Sequence, residues 1–254
     1  FGSAVVASRL LNLDPFKTAH AIGMAGVMAA GNKAHLTERC MTKDYNSGFS
    51  SMCGILAALL VEEGFTASTD ELENPCGFLK IYGERTYPEE LTKGFKTMWN
   101  IMGTGQKLYP ACRCMHSSID AILRLRVRID YHQIKEITSR IFATGAYIID
   151  DDRPWEGNKG IMGARFSAQY NMAVALLFGE KGMWDQYDAD KAMEYMKMDE
   201  VRELINKIKI IHVKEWDEDT EMYSACEVNV TLNDGTHLTE EMPNALGDPD
   251  NPIP

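Results

Sequence analysis

The chain has 254 residues, enough for one large domain or two smaller ones, each with a buried core. Its 45% hydrophobic and 25% charged residues are typical of a globular protein. A net charge of −11 argues against non-specific nucleic-acid binding, which needs a basic surface. The longest apolar run, Ile55 to Val61, is too short to cross a bilayer, so we expect no membrane partner.

Six cysteines are scattered through a chain too long to depend on disulfides for its stability. Reduced thiols in the cytoplasm are the simplest interpretation of this pattern. Cys112 and Cys114 have no second cysteine pair and no histidine cluster at zinc-binding spacing. The sequence therefore predicts no metal site.

Residues 1 to about 105 are predicted to form an all-helical part. Residues 1–11 are apolar and rich in small side chains, and Asp14-Pro15 is an N-cap followed by a proline at the first helical position. Residues 16–30 contain so many Ala, Gly and Met residues that a closely packed helix is expected. Residues 31–46 and 74–87 are polar or rich in turn formers, and both are predicted to be loops. Between them, a helical apolar stripe precedes Gly64, which should end its helix; the stripe consists of Phe49, Met52, Ile55, Leu56, Leu59 and Leu60.

Residues 106–240 are predicted to form an α+β part. Apolar residues alternate with polar ones over 137–143, 208–212 and 226–232, which favours strands, and Asn233-Asp234-Gly235 is a hairpin turn signal. Helices are expected over 164–178, ended by Gly179, and over 190–207, with Asp199 as a cap within it. Asp150-Asp151-Asp152 is interpreted as a solvated turn, because consecutive carboxylates do not converge on one metal ion without special backbone geometry. Residues 247–252 are a proline-punctuated loop.

The stretch from Gly105 to Asp120 carries the strongest chemical signal. Lys107, Arg113 and His116 lie ahead of a predicted helix in which Ser117 is the N-cap and Asp120 completes a capping box. Ile119, Ile122, Leu123 and Val127 continue that helix at apolar spacing. A helix N-terminus attracts anions, so three basic side chains there suggest a small anion pocket with a titratable imidazole. The alternative is a proline turn whose basic residues are merely solvated.

Four stretches, in this order, resemble the MmgE/PrpD family. They are Phe1-Gly2-Ser3-Ala4 running into Leu10-Leu11-Asn12-Leu13-Asp14; Thr42-Lys43 with Gly48 and Glu63-Gly64-Phe65; Lys107-Leu108-Tyr109-Pro110-Ala111-Cys112-Arg113 with His116 and Asp120; and Ala164-Arg165-Phe166-Ser167-Ala168-Gln169-Tyr170 with Gly247-Asp248-Pro249-Asp250-Asn251-Pro252. The family includes 2-methylcitrate dehydratase, cis-aconitate decarboxylase and iminodisuccinate epimerase. The order and spacing of the motifs cover nearly the whole chain.

The resemblance implies a mostly α protein with an α+β part. Residues 1–105 would belong to the helical domain, 106–240 would form the smaller lid domain, and 241–254 would return toward the helical domain. It also implies a homodimer that acts on small di- or tricarboxylates without a metal or cofactor. The family's upstream segment, with an Asp and two His residues of the site, would lie before Phe1, and its closing helical segment would lie beyond Pro254, so the chain would hold only part of an active site.

By position, Lys43 and Lys107 match lysines that line the family's site. Cys112 and Asn46 stand where decarboxylase-like members have histidines, which argues against decarboxylation. Arg113 is suited to grip a substrate carboxylate, with Arg153 as a further candidate at the lid turn. The alternatives are that Arg113 pairs with Asp120 or another internal carboxylate and that the two lysines are ordinary surface residues.

Removing a proton beside a carboxylate builds enolate-like charge that nearby cations stabilise. His116 is the best candidate for the base or acid, and Lys107 could act as acid if burial lowered its pKa. We therefore expect a dehydratase of a hydroxy-polycarboxylate such as 2-methylcitrate. An epimerase using the same proton abstraction and a non-catalytic helical dimerisation or binding module remain as alternatives.

Overall fold

A computed structural model describes residues 1–217 and 224–254 of the chain. The protein is mostly helical with one small mixed sheet, which confirms the predicted fold class. The helices are α1 (Gly2–Leu10), α2 (Pro15–Met28), α3 (Ala34–Glu38), α4 (Thr42–Glu62), α5 (Phe78–Tyr82), α6 (His116–Leu125), α7 (Ala143–Ile149), α8 (Ile161–Phe166), α9 (Ala168–Asp185), α10 (Ala189–Tyr195) and α11 (Asp199–Ile205). The strands are β1 (Ile134–Ile141), β2 (Ile208–His212), β3 (Cys226–Leu232) and β4 (His237–Met242). Among the described residues, no helix combines the length and the apolar character that a membrane span requires.

The chain divides into two compact units. The first contains Phe1–His35 and Met41–Trp99, and the second contains Leu36–Cys40 and Asn100–Pro254. The assignment of residues 106–240 to a lid and of residues 241–254 to a return loop stays a prediction.

Small side chains hold the first unit together. Asp14 caps α2 by accepting a hydrogen bond from the Lys17 N–H at 2.9 Å, and Pro15 is the first helical residue, as predicted. A Cβ atom on Gly54 would lie 1.9 Å from Ser3 Oγ, so the backbones of α1 and α4 approach more closely than any larger residue would allow. Ala57 and Ala58 of α4 are fully buried in the same unit.

The apolar stripe of α4 forms a helix as predicted, and the chain turns at Gly64 with a φ of +98°. The large residues of this stripe nevertheless face outward within the unit, with Met52 and Ile55 about half exposed. Only Gly and Ala permit the close backbone approach, so the small face of α4 packs inward instead. The predicted loops were partly wrong, because α3 and the first turns of α4 lie within residues 31–46 and α5 lies within 74–87.

The second unit is built on a four-stranded sheet with the order β2-β1-β3-β4. β1 runs parallel to β2 and antiparallel to β3, and β3 and β4 form the predicted hairpin, with Gly235 at a φ of +87° in its turn. Helix α6 packs against α9, β3 and β4. Its apolar residues Ile119 and Ile122 are fully buried, whereas Val127, predicted to share that face, is exposed.

Two predicted helices of this unit are interrupted. Ser167 separates α8 from α9 and caps α9 by accepting from the Tyr170 N–H at 3.0 Å. Helix α9 does not end at Gly179 but bends there, with φ +64° and ψ −153°. The stretch 190–207 contains α10 and α11, and the predicted cap Asp199 is instead the first residue of α11, whose N-cap is Met198.

Candidate active site

The Gly105–Asp120 stretch leads through a short 3-10 turn (Arg113–Met115) into α6, which begins at His116. The predicted capping box was wrong. Met115 occupies the N-cap without a side-chain cap, and the Ser117 hydroxyl donates to the Ser224 carbonyl. Asp120 instead accepts from the Tyr109 hydroxyl at 2.5 Å and from the Leu246 N–H at 2.8 Å. These contacts tie the loop before α6 and the C-terminal residues to the helix.

His116 is completely buried at the start of α6. Its Nδ1 lies 3.4 Å from Arg113 Nη1, and its Nε2 lies 3.3 Å from the Ala111 carbonyl oxygen. Because a guanidinium can only donate, Nδ1 must accept and the proton belongs on Nε2, which donates to Ala111. Burial, together with the positive charge of Arg113, lowers the pKa of His116 to about 4. The imidazole is therefore neutral near pH 7, with one defined tautomer.

Lys107 shares a partner with His116. Its ammonium donates to the same Ala111 carbonyl at 3.1 Å, while the rest of the side chain is exposed. Of the three basic residues predicted to form an anion pocket, Lys107 is thus the most open to an incoming ligand. Both ring nitrogens of His116 contact protein groups of the preceding loop, Nδ1 at Arg113 and Nε2 at Ala111.

Arg113 has a carboxylate partner inside the chain. Its Nη2 forms an ion pair with Asp248, and its Nη1 donates to the Gln106 carbonyl at 3.0 Å. The alternative that Arg113 pairs with an internal carboxylate is therefore confirmed, with Asp248 rather than Asp120 as the partner. A substrate carboxylate would have to share or displace Asp248, so substrate binding by Arg113 stays a prediction.

The remaining two candidates lie elsewhere in the structure. Arg153 is an exposed residue that pairs with Glu156 at 3.3 Å, three residues along the same turn. Lys43 is in the first turn of α4, in the first unit, and its side chain is exposed. Their roles in one site with Lys107 stay predictions.

The aspartate turn was wrongly interpreted as fully solvated. Asp151 is buried, with its carboxylate 2.8 Å from Lys159 Nζ and 3.3 Å from Arg39 Nε. Arg39 also donates to the Asp150 carbonyl at 2.8 Å. Within residues 1–217 and 224–254, no group of three or more His, Cys, Asp or Glu side chains is placed to hold a metal ion.

Cys112 and Asn46, the two positions expected to depart from the family pattern, have ordinary polar surroundings. The Cys112 N–H donates to the Arg165 carbonyl at 2.9 Å, and a hydrogen bond with Cys112, together with burial, raises the pKa of the neighbouring Cys114 thiol. The Asn46 amide nitrogen lies 3.3 Å from His35 Nδ1. Tyr170, in the same quoted motif as Arg165, is buried and donates to the Ala192 carbonyl at 2.9 Å, so it belongs to the core.

Sequence reasoning missed Asp248 and Tyr109 as partners of this site. Gly247-Asp248-Pro249 belongs to a quoted family motif, but its proline-rich pattern indicated only a loop. A half-buried arginine requires a carboxylate partner, but the sequence does not indicate where in the chain that carboxylate lies.

Family models match both halves of the chain. The model described as the MmgE/PrpD N-terminal domain matches residues 1–90, and the one described as the MmgE/PrpD C-terminal domain matches residues 109–254. The chain belongs to the MmgE/PrpD family.

The curated relatives are named as cis-aconitate decarboxylases or as similar to them. The chain is 27% identical to cis-aconitate decarboxylase of Aspergillus terreus (strain NIH 2624 / FGSC A1156), over 96% of the chain and 52% of the relative. It is 28% identical to cis-aconitate decarboxylase-like protein oryM of Aspergillus oryzae, over 92% of the chain and 51% of the relative. It is 26% identical to cis-aconitate decarboxylase of Mus musculus, over 94% of the chain and 48% of the relative. The chain thus spans about half the length of the curated relatives that it matches.

Proposed function

We propose that the full-length protein is a lyase that acts on a small di- or tricarboxylate and that this chain carries part of its active site. The proposal is based on the position of Lys107, an exposed residue whose ammonium shares the Ala111 carbonyl with the neutral, buried His116. A fixed cation at the surface suits a substrate carboxylate and the negative charge that develops when a neighbouring carbon loses a proton or a carboxyl group.

Lys107, Lys43 and Arg153 are the candidates with exposed side chains, and we propose the two lysines first for contact with the substrate. For His116 we propose a positioning role, because both of its ring nitrogens face protein groups. The group that takes the Cα proton would then be another residue that contacts the substrate. Arg153 remains a weaker proposal as a ligand on the exposed turn.

Our leading proposal for the reaction is dehydration of a hydroxy-polycarboxylate such as 2-methylcitrate, in which the Cα–H and C–O bonds break and water leaves. The names of the relatives favour a second candidate, decarboxylation of cis-aconitate, in which a C–C bond breaks, carbon dioxide leaves and the resulting carbanion takes up a proton. Epimerisation of a dicarboxylate would return the proton to the other face. In all three reactions a similar negative charge develops beside a carboxylate, and nearby cations would stabilise it. We further propose catalysis without a metal, in a cytoplasmic homodimer.

Proton NMR of the full-length protein in heavy water, with 2-methylcitrate, citrate, cis-aconitate and an aminosuccinate-type dicarboxylate, distinguishes these reactions. New alkene proton signals from a hydroxy acid indicate dehydration, and conversion of the cis-aconitate signals to those of an unsaturated dicarboxylate indicates decarboxylation. Deuterium at Cα without an alkene indicates epimerisation. Turnover that persists in EDTA would support metal-independent catalysis.

The variant Lys107→Met tests the proposed contact of Lys107 with the substrate. Because removal of one preorganised donor to developing charge lowers kcat by about 10²- to 10³-fold, a loss of that size is expected. Lys181→Met, at an exposed lysine of α9 that pairs with Asp185 along the same helix, is the matched control. Full activity in Lys107→Met would overturn the site assignment, and no turnover or binding of any panel member would favour the non-catalytic alternative.

A further inference from the structure

The C-terminal turn lies directly against the loop that precedes α6. The Gln106 N–H donates to the Gly247 carbonyl at 2.7 Å. Gly247 has a φ of +91°, and a Cβ atom there would lie 2.4 Å from the Gln106 carbonyl oxygen. Only glycine satisfies both the conformation and the close approach, so the two backbones are held in direct contact.

Asp248, the next residue, uses both carboxylate oxygens. Oδ1 forms the ion pair with Arg113, which is 135 residues earlier in the chain. Oδ2 accepts from the Ser224 hydroxyl at 2.7 Å and from the Ala245 N–H at 3.1 Å. A Cβ atom on Gly105 would lie 3.1 Å from Oδ1, so the carboxylate is also confined by the start of the loop. Together these contacts fix the orientation of the Asp248 carboxylate.

From Asp248 a continuous series of contacts reaches the proposed substrate-facing lysine. Asp248 orients Arg113, whose Nη1 reaches both the Gln106 carbonyl and His116 Nδ1. His116 Nε2 donates to the Ala111 carbonyl, which also accepts from Lys107. The series runs from the half-buried Asp248 and Arg113 through the buried His116 to the exposed Lys107, and each of its contacts is directional. Loss of the first partner should therefore change the geometry of the later ones.

We infer that Asp248 is a positioning residue that holds Arg113 against His116 and so fixes the loop that carries Lys107. The groups that face His116 are the Arg113 guanidinium, the Lys107 ammonium, the Asp248 carboxylate, the Ala111 carbonyl and the Tyr109 ring at 5.1 Å between centroids. The consequence for turnover rests on the proposed function, whereas the consequence for His116 does not.

The test uses ¹⁵N NMR of the histidine rings in the full-length protein, with His116 assigned from the spectrum of His116→Gln. Asp248→Asn keeps the size of the side chain and removes its charge. If only that charge were lost, the pKa of His116 would fall further, because Asp248 raises it. If Arg113 is released, burial and the positive charge beside His116 both decrease, and the pKa should rise by about one unit or more. The direction of the change thus separates positioning from a simple loss of charge.

We expect the pKa of His116 to rise in Asp248→Asn and the preference for the Nε2–H tautomer to weaken. Asp250→Asn, an exposed aspartate two residues along the same turn, should leave both unchanged. With the substrate found in the panel, kcat of Asp248→Asn should fall about 10- to 100-fold, since misplacing a reacting group by about 1 Å has an effect of this size. KM should change by less than about threefold if Lys107 acts mainly in the transition state.

A His116 pKa that falls or stays unchanged in folded Asp248→Asn would overturn the inference. If that variant does not fold, Ser224→Ala keeps the charge and removes one donor to Asp248; it should raise the His116 pKa by a smaller amount, and no change would overturn the inference. Absence of turnover in the unsubstituted protein would contradict the proposed function alone, because the histidine spectra decide the positioning role without substrate.

Discussion

Tyr109 donates a hydrogen bond from its phenol to Asp120, with 2.5 Å between Oη and Oδ1, and both residues are buried. Burial raises the pKa of both groups, whereas the hydrogen bond raises the pKa of Tyr109 and lowers that of Asp120, so the contact favours a protonated phenol and an ionised carboxylate. The second oxygen of Asp120 accepts from the Leu246 N–H. One carboxylate on α6 thus anchors both the loop before the helix and the C-terminal turn.

Replacement Tyr109→Phe should lower the free energy of unfolding by about 2 kcal/mol, because it leaves a buried carboxylate oxygen without its donor. Denaturant titration of the two proteins measures the difference. Tyr187→Phe is the control, since the exposed Tyr187 hydroxyl makes only a 3.3 Å contact with the Leu108 carbonyl. If both variants lost the same free energy of unfolding, the hydrogen bond to Asp120 would stabilise the fold no more than the exposed contact of Tyr187 does.

His116 should make the protein less stable as the pH falls below neutrality. Its pKa is about 4 in the folded protein against 6.5 for the ordinary side chain, so the unfolded chain takes up the proton first. The contribution is fully present above about pH 6.5 and is lost as the pH falls toward 4; integrated over that interval it amounts to about 3 kcal/mol at most.

Denaturant titrations of the unsubstituted protein and of His116→Gln at pH 7 and pH 5 isolate this contribution from that of the carboxylates. The unsubstituted protein should lose more stability between the two pH values than the variant. His132→Gln, at an exposed histidine, should retain the full pH dependence. Identical pH dependence in all three proteins would contradict a buried neutral imidazole.

Asp151 should be among the most sensitive positions of the second unit. Asp151→Asn removes the charge shared by Arg39 and Lys159, two cations that are mostly buried. Leaving buried cations without their carboxylate should lower the free energy of unfolding by about 3 kcal/mol or more. Thermal unfolding measures this, and Asp152→Asn, at the exposed neighbour, should have little effect. Similar unfolding temperatures for the two variants would contradict the conclusion that the Asp151 carboxylate stabilises both Arg39 and Lys159.

The bend of α9 depends on Gly179. Its φ of +64° and ψ of −153° are disfavoured for residues with a Cβ atom, so Gly179→Ala should lower the free energy of unfolding by about 1 to 3 kcal/mol. Gly48→Ala, in an exposed position of α4 with open space around the added atom, should instead raise it by about 0.5 to 1 kcal/mol. A stabilising Gly179→Ala would indicate that α9 runs straight through this position.

Local patterns were sufficient for several elements of this protein. Asp14-Pro15 marks a helix start, Gly64 a helix end and Asn233-Asp234-Gly235 a hairpin, because each acts through the backbone of its own neighbours. The pattern failed where tertiary packing overrode it. The small face of α4 packs inward because Gly54 permits close backbone approach, although the larger apolar residues suggested the opposite face.

By itself, the sequence determined the mostly helical fold class with its α+β part, the family motifs and the clustering of Lys107, Arg113 and His116 within ten residues. Only the tertiary structure decided what those basic residues contact. It buries His116, leaves Lys107 exposed and gives Arg113 an internal carboxylate partner. That partner, Asp248, lies 135 residues away in the chain and is brought to the loop by the packing of the second unit. A composition or a spacing identifies charged groups, but the surroundings that set their protonation and direction come from segments distant in the chain.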